Sequence, residues 1–171
     1  AIMDFGAVQC TPQSPNCLFC PLSGSCRALS EGKVQQLPVK QHRTKTTNRY
    51  FNYIYVRMGA HTLIHKRTED DIWKNLFELP LVETEKDLSE EEFLACPQFH
   101  ALFAEGEVRM VRTLLRGVKH VLSHRVIYTN FYEVTLPDNS SSFSSYQRVA
   151  VEDLGRYAVP RLIHAFLEKY V

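Results

Sequence analysis

Four cysteines, Cys10, Cys17, Cys20 and Cys26, fall within seventeen residues in the spacing C-x6-C-x2-C-x5-C. Thr11-Pro12-Gln13-Ser14-Pro15-Asn16 separates the first two, and prolines at that density end a helix. The segment is therefore a loop that brings four thiols close together. Three chemistries compete for such a set. Two disulfides suit a secreted chain, but nothing in the sequence points to secretion, and a fifth cysteine, Cys96, is left odd. Structural zinc takes four thiolates, usually as two C-x2-C pairs far apart, and only one such pair is present. A [4Fe–4S] cluster also takes four thiolates from a tight loop, with Pro12, Pro15 and Pro21 fixing the turns. The cluster is favoured. Cys96, beside Pro97, reads as a free thiol.

The remainder is ordinary in bulk: 171 residues, 44% hydrophobic and 23% charged, with a formal charge of +1. That is room for one domain plus a small appendage. No apolar run approaches the ~20 residues of a membrane helix. The near-neutral total hides an uneven distribution. Lys33, Lys40, Arg43, Lys45 and Arg49 form a basic stretch without an acid. From Glu83 to Glu107 eight acids face one base, and Arg109, Arg112, Arg116, Lys119 and Arg125 form a second acid-free basic stretch. Basic stretches of this kind either bind phosphate backbones or simply keep a surface solvated.

The order of elements predicts a mixed α+β domain behind the cysteine loop. Ala1 to Val8 reads as the end of an amphipathic helix, so the chain is expected to be the C-terminal piece of a longer protein. Ser30 to Asn48 is polar and aperiodic, a linker. Tyr50 to Arg57 is aromatic and β-branched, a strand, and Met58-Gly59-Ala60 turns it into a second one at His61 to Lys66. Ser89-Glu90-Glu91-Glu92 forms a capping box, which starts a helix. Arg109–Leu115 and Val118–Val134 read as strands, with Val126, Tyr128, Asn130, Tyr132 and Val134 on one face. Pro160 is placed in the first turn of a last helix bearing Leu162, Ile163, Phe166 and Leu167. Ser140 to Ser145 reads as a loop.

The cysteine spacing, preceded by Ile2-Met3-Asp4-Phe5-Gly6-Ala7 and containing Cys20-Pro21-Leu22, resembles the iron–sulfur loop of helix-hairpin-helix DNA glycosylases. Two later segments, Asp71-Ile72-Trp73-Lys74-Asn75-Leu76-Phe77-Glu78-Leu79-Pro80 and Lys119-His120-Val121-Leu122-Ser123-His124, resemble the C-terminal extension of the A/G-specific adenine glycosylases, the MutY family. The resemblance implies three parts. Residues 1–29 end a helix-hairpin-helix domain, with the cluster held by Cys10, Cys17, Cys20 and Cys26. Residues 30–48 are an interdomain linker. Residues 49–171 form a Nudix-like mixed sheet flanked by helices.

The implied function is base-excision repair, the removal of adenine mispaired with 8-oxoguanine or guanine in double-stranded DNA. Leu122, Ser123 and His124 resemble the Phe-Ser-His loop that recognises 8-oxoguanine, with Leu in place of Phe. Arg27, Lys40, Arg43 and Lys45 are expected at the DNA backbone. The catalytic carboxylates of that family lie upstream of the cluster loop, Asp4 is structural, and this portion alone is expected to be inactive. The isolated fragment is also expected to be prone to losing its cluster. A monomer is expected, free of membrane, in the bacterial nucleoid or, in a eukaryote, in the nucleus or mitochondrion. A non-enzymatic nucleic-acid-binding module with a zinc knuckle is the alternative.

Nudix hydrolases bind Mg²⁺ through G-x5-E-x7-R-E-U-x-E-E-x-G. Here Leu81-Val82 stand where glycines are needed, and Glu90-Glu91-Glu92 lack both the Arg-Glu pair and the closing Gly. No divalent site or pyrophosphohydrolase activity is expected. Trp73, Phe77 and Leu79 are expected to pack rather than hold a nucleotide.

Overall fold

A computed structural model describes residues 2–11, 13–37 and 46–171, and Lys40, Arg43 and Lys45 of the expected backbone contacts lie outside them, as does Pro12. The chain divides into two compact units, Ala1–Thr44 and Lys45–Val171.

In the first unit α1 (Ile2–Gln9) is followed by 3-10 turns at Cys17–Phe19 and Ser23–Ser25 and by α2 (Arg27–Ser30). The cysteines mark the joints. Cys10 N–H closes α1 on Gly6 O at 3.1 Å, Cys20 N–H closes its turn on Cys17 O, and Cys26 is the residue before α2. No described residue of this unit is fully buried, and Ile2, Met3, Val8, Leu18 and Phe19 are exposed. A piece this small, with no fully buried side chain among its described residues, needs another source of stability.

The second unit is built around two long central strands, β1 (Thr47–Arg57) and β6 (Arg125–Thr135), paired in parallel from Thr47↔Arg125 to Arg57↔Thr135. β4 (Leu81–Thr84) and β5 (Met110–Val121) flank them antiparallel, giving the order β4-β1-β6-β5. A smaller sheet has the order β3-β2-β7, from β2 (His61–Lys66), β3 (Phe77–Glu78) and β7 (Gln147–Ala150). Parallel strands need a long crossover, and residues 58–124 supply it. The α+β architecture expected from the sequence is the one observed.

Both faces of the central strands are buried. Phe51, Tyr53 and Tyr55 of β1 and Ile127 and Phe131 of β6 pack under α5 (Arg161–Tyr170), where the Phe166 ring stacks on Phe131 at 4.1 Å. Ile54 and Val56, with Tyr132 and Val134, pack under α3 (Glu90–Ala95) and α4 (Pro97–His100), where Phe93 stacks on Tyr132 at 4.4 Å. The period-two face read from Val126 to Val134 is thus only half of what β6 buries. The capping box forms as expected: Ser89 Oγ accepts from Glu92 N–H at 3.1 Å and Glu92 Oε2 from Ser89 N–H at 2.8 Å. Pro97 ends α3 and opens α4, whereas Pro160 caps α5 from just outside it.

The strands expected at Arg109–Leu115 and from Val118 join through Gly117 into one, β5, and the strand expected over Val118–Val134 is broken at Leu122–Ser123–His124. Gly117 takes φ +68° inside β5, and its N–H donates to the buried Asn130 side chain at 2.9 Å. That irregularity bends β5 without ending it. The reversal of direction comes later, at Leu122–Ser123–His124.

The serine run is organised by Glu107. Its carboxylate accepts from Ser140 Oγ at 2.5 Å, from N–H and Oγ of Ser141, and from N–H and Oγ of Ser142. These bonds, Ser140 and Ser142 foremost, lower the carboxyl from 4.5 to about 2. A depressed carboxyl supports the turn fully above its ordinary value and loses that support as pH falls through its folded one. The amide resonances of Ser141 and Ser142 are therefore expected to hold steady down past 4.5 and to shift with a midpoint at about 2. A midpoint near the ordinary value would show that the carboxylate does not organise the turn.

Candidate functional site

The turn between β5 and β6 presents three residues with different burial. Val121 pairs with Val126 in the last rung, Leu122 N–H donates to Arg125 O at 2.8 Å, and Thr47 N–H donates to His124 O at 3.2 Å. The turn is held by its own hairpin on one side and by the start of β1 on the other. Leu122 packs against the core under α5, while Ser123 and His124 are exposed. One side chain anchors and the next two face solvent.

The second motif lies against this turn. Between β2 and β3 the chain makes a tight excursion in which Trp73 and Asn75 take φ 59° and 69°. Asn75 N–H bonds Arg67 O at 2.8 Å and Leu76 N–H bonds Trp73 O at 3.0 Å. Left-handed backbone at a tryptophan is unfavourable and persists only where packing over-determines it. Here the indole meets the Phe51 ring edge-on at 6.1 Å and the His120 ring at 5.8 Å. Leu79 is buried and Phe77 packs edge-on against Tyr157 at 5.0 Å. Trp73, Phe77 and Leu79, the three expected to pack, do so.

Charged members of the same region form one network. Asp71 accepts from Arg49 at 2.6 Å, from Arg67 at 3.0 Å and from Arg125, the residue after the turn. Arg49 also grips Glu83 with two bonds of 2.6 Å. Arg67 grips buried Glu78 with bonds of 3.0 and 2.8 Å and donates through Nε to Ile72 O. Burial pushes the Asp71 carboxyl up, but the bonds from Arg49, the Ile72 N–H and Arg125 outweigh it and hold the group well below the ordinary carboxylate range. Burial first, then the neighbouring Glu78 charge, pushes the Tyr53 hydroxyl up, so it stays protonated and donates to Glu78 at 3.1 Å.

The sequence patterns mark none of Asp71, Glu78, Glu83 and Arg67 as functional, and they put Arg49 in a basic stretch that either binds phosphate or stays solvated. The Arg49 guanidinium is occupied by Asp71 and Glu83. The one available signal was the four-residue step from Arg67 to Asp71. In the later basic stretch Arg112 pairs with Glu133 and Arg116 donates to Leu88 O. Lys119 lies over the Tyr128 ring at 6.0 Å.

The acids of α3 are placed for helix capping. Glu92 serves the capping box and pairs with Lys86. In the first unit, Cys10, Cys17, Cys20 and Cys26 are free thiols lining one hollow of about 250 Å³, together with Phe5 and Leu22 among others. Among the described residues no three or more His, Cys, Asp or Glu are gathered closely enough for one metal ion. Arg27 is exposed and pairs with Glu31, which also takes Lys33. Cys96 is half-buried against the core under α3.

A family model described as NUDIX domain matches residues 52–169. The adenine DNA glycosylase of Buchnera aphidicola subsp. Acyrthosiphon pisum is 26% identical over 172 residues, covering 99% of this chain and 46% of that protein. Its counterpart from Buchnera aphidicola subsp. Schizaphis graminum is 36% identical over 83 residues, covering 48% of this chain and 24% of that protein. The chain thus spans about half the length, or less, of the curated relatives it matches. The C-terminal domain of mouse MUTYH, solved in complex with human PCNA, superposes with a TM-score of 0.55 at 14% identity, over 71% of this chain and 86% of that one. At that identity the match speaks for the fold.

Proposed function

This chain belongs to the NUDIX domain family, and on that premise we propose that it is the lesion-reading part of an adenine DNA glycosylase. The parent enzyme removes adenine opposite 8-oxoguanine in duplex DNA. The carboxylates for that hydrolysis belong to a part of the parent outside this chain, so this portion alone cleaves nothing.

The observation that carries the reading is the turn at Leu122–Ser123–His124, with its leucine anchored and its serine and histidine exposed. 8-Oxoguanine differs from guanine by a carbonyl at C8 and a hydrogen on N7, so an acceptor edge becomes a donor. A hydroxyl both accepts and donates, and Ser123 can answer that changed edge where a fixed donor such as arginine cannot. His124 supports the turn or meets the adjacent phosphate, and Leu122 packs beneath. Arg27, Lys40, Arg43 and Lys45 contact phosphates, which gives affinity and register without sequence information.

Cys10, Cys17, Cys20 and Cys26 would hold a [4Fe–4S] cluster, which when bound supplies a structural cross-link and no step of the hydrolysis. Two features support that reading: the four thiols line one hollow, and the described part of their unit has no fully buried residue. The zinc-knuckle alternative separates by colour, since a cluster absorbs near ~400 nm and zinc does not.

The test is Ser123→Ala combined with His124→Ala in the full-length enzyme. A good base-edge contact is worth ~1–3 kcal/mol of discrimination. Adenine removal opposite 8-oxoguanine is expected to slow far more than removal opposite guanine under single-turnover conditions. Equal slowing on both substrates would make the turn a structural element only.

A further inference from the structure

The Ser123 turn is flanked by the first residues of β1 and β6, and one carboxylate ties both strand starts down. Arg125 opens β6 and Arg49 lies two residues into β1; both donate to Asp71. The strands run parallel here with Thr47 opposite Arg125, and Thr47 N–H itself holds the His124 carbonyl. Glu83 of β4 fixes Arg49 from its other side, and Glu78 of β3 fixes Arg67, the third donor to Asp71. The network comprises three guanidiniums and three carboxylates, so the charges are matched within the fold.

We infer that Asp71 is the positioning residue of the lesion-reading turn, fixing through Arg125 and Arg49 where the backbone presents the Ser123 hydroxyl. The inference rests on the reading of Ser123 given above. A serine hydroxyl stands one rotatable bond from the backbone and cannot follow a misplaced partner. Displacement of such a group by about 1 Å is enough to lose much of its contribution. Without the Asp71 charge, three guanidiniums face two carboxylates. Arg125 is the one free to swing outward, and it carries the end of the turn with it.

The experiment uses the full-length enzyme and compares single-turnover adenine removal opposite 8-oxoguanine and opposite guanine. Asp71→Asn is expected to reduce the preference for 8-oxoguanine by about tenfold, leaving removal opposite guanine little changed. Asp71→Glu, which keeps the charge, should restore part of it. In a Ser123→Ala background Asp71→Asn should reduce the preference no further, because residues acting as one unit are not additive. Equal slowing on both substrates, or a loss that adds to that of Ser123→Ala, overturns the inference.

If Asp71→Asn does not fold, Arg125→Gln removes only the arm next to the turn and should show the same selective loss. A uniform loss with a salt slope lower by about one is the signature of a plain phosphate contact and would also overturn it. If Ser123→Ala leaves the preference intact, the reading of Ser123 fails and the inference with it. If Ser123→Ala abolishes the preference while Asp71→Asn retains it, the inference alone fails.

Discussion

Replacing Phe131 by alanine is expected to destabilise the second unit by about 3–5 kcal/mol. The ring has no exposure to solvent and lies at the centre of β6, between β1 and β5. It stacks on Phe166 at 4.1 Å with the planes 4° apart, and on Tyr53 at 5.6 Å with the planes 24° apart. Truncation removes the contact that fastens α5 to the sheet and leaves a space that two stiff strands cannot close. Phe131→Leu, which keeps part of the volume but loses the stacking, should cost less than the alanine change. Urea melts should show the alanine midpoint moving with little change of slope. A loss below about 1 kcal/mol would mean that α5 and the sheet do not share one core.

The same strand shows where the sequence could be read and where it could not. Local patterns survive: the capping box at Ser89, the aromatic strand ending at Arg57 and the apolar positions of α5 all depend on neighbours within a few residues. The alternation along β6 suggested a single buried face, because Thr129 and Glu133 are polar. Both are buried in the structure, and so are Ile127 and Phe131 on the same face of the strand. A strand covered on both sides loses the polar half of its pattern only on average, and two polar exceptions were enough to mislead. Gly117 lies between the strands read at Arg109–Leu115 and Val118–Val134, and β5 runs through it. The left-handed backbone of this glycine serves Asn130, thirteen residues away, and that partnership has no sequence signature.

The site divides in the same way. Leu122–Ser123–His124 was legible as a motif and is found as an exposed turn with one anchored member. Asp71 stands in the sequence only as the first residue of a second motif. Its partners Arg49 and Arg125 lie 22 and 54 residues away, so no spacing rule links them. For Arg49 charge counting leaves the role open, since a run of bases does not reveal which of them folding will neutralise. Glu83, drawn from the acidic stretch, is the partner that pairs with Arg49 beside Asp71.

The largest effect expected in the first unit follows from its cysteines. In the full-length protein, alanine in place of any one of Cys10, Cys17, Cys20 or Cys26 is expected to remove most of the iron and to weaken DNA binding. The four thiols face one hollow, and the turns that separate them are closed by single hydrogen bonds such as Cys20 N–H to Cys17 O at 3.3 Å. Bonds of that kind contribute about 1 kcal/mol each. They cannot hold the loop if the proposed cross-link is lost, and no fully buried side chain among the unit's described residues stands in reserve. DNA affinity should fall because Arg27 begins the helix directly after Cys26 and takes its position from that residue. Iron and labile sulfide per chain, with absorbance near ~400 nm, give a readout independent of catalysis. Cys96→Ala is the control and should leave both unchanged, since that thiol packs in the core under α3. Undiminished iron in all four variants would dismiss the cysteines as ligands. A colourless wild-type protein carrying one zinc, lost equally from each variant, would instead establish the zinc knuckle.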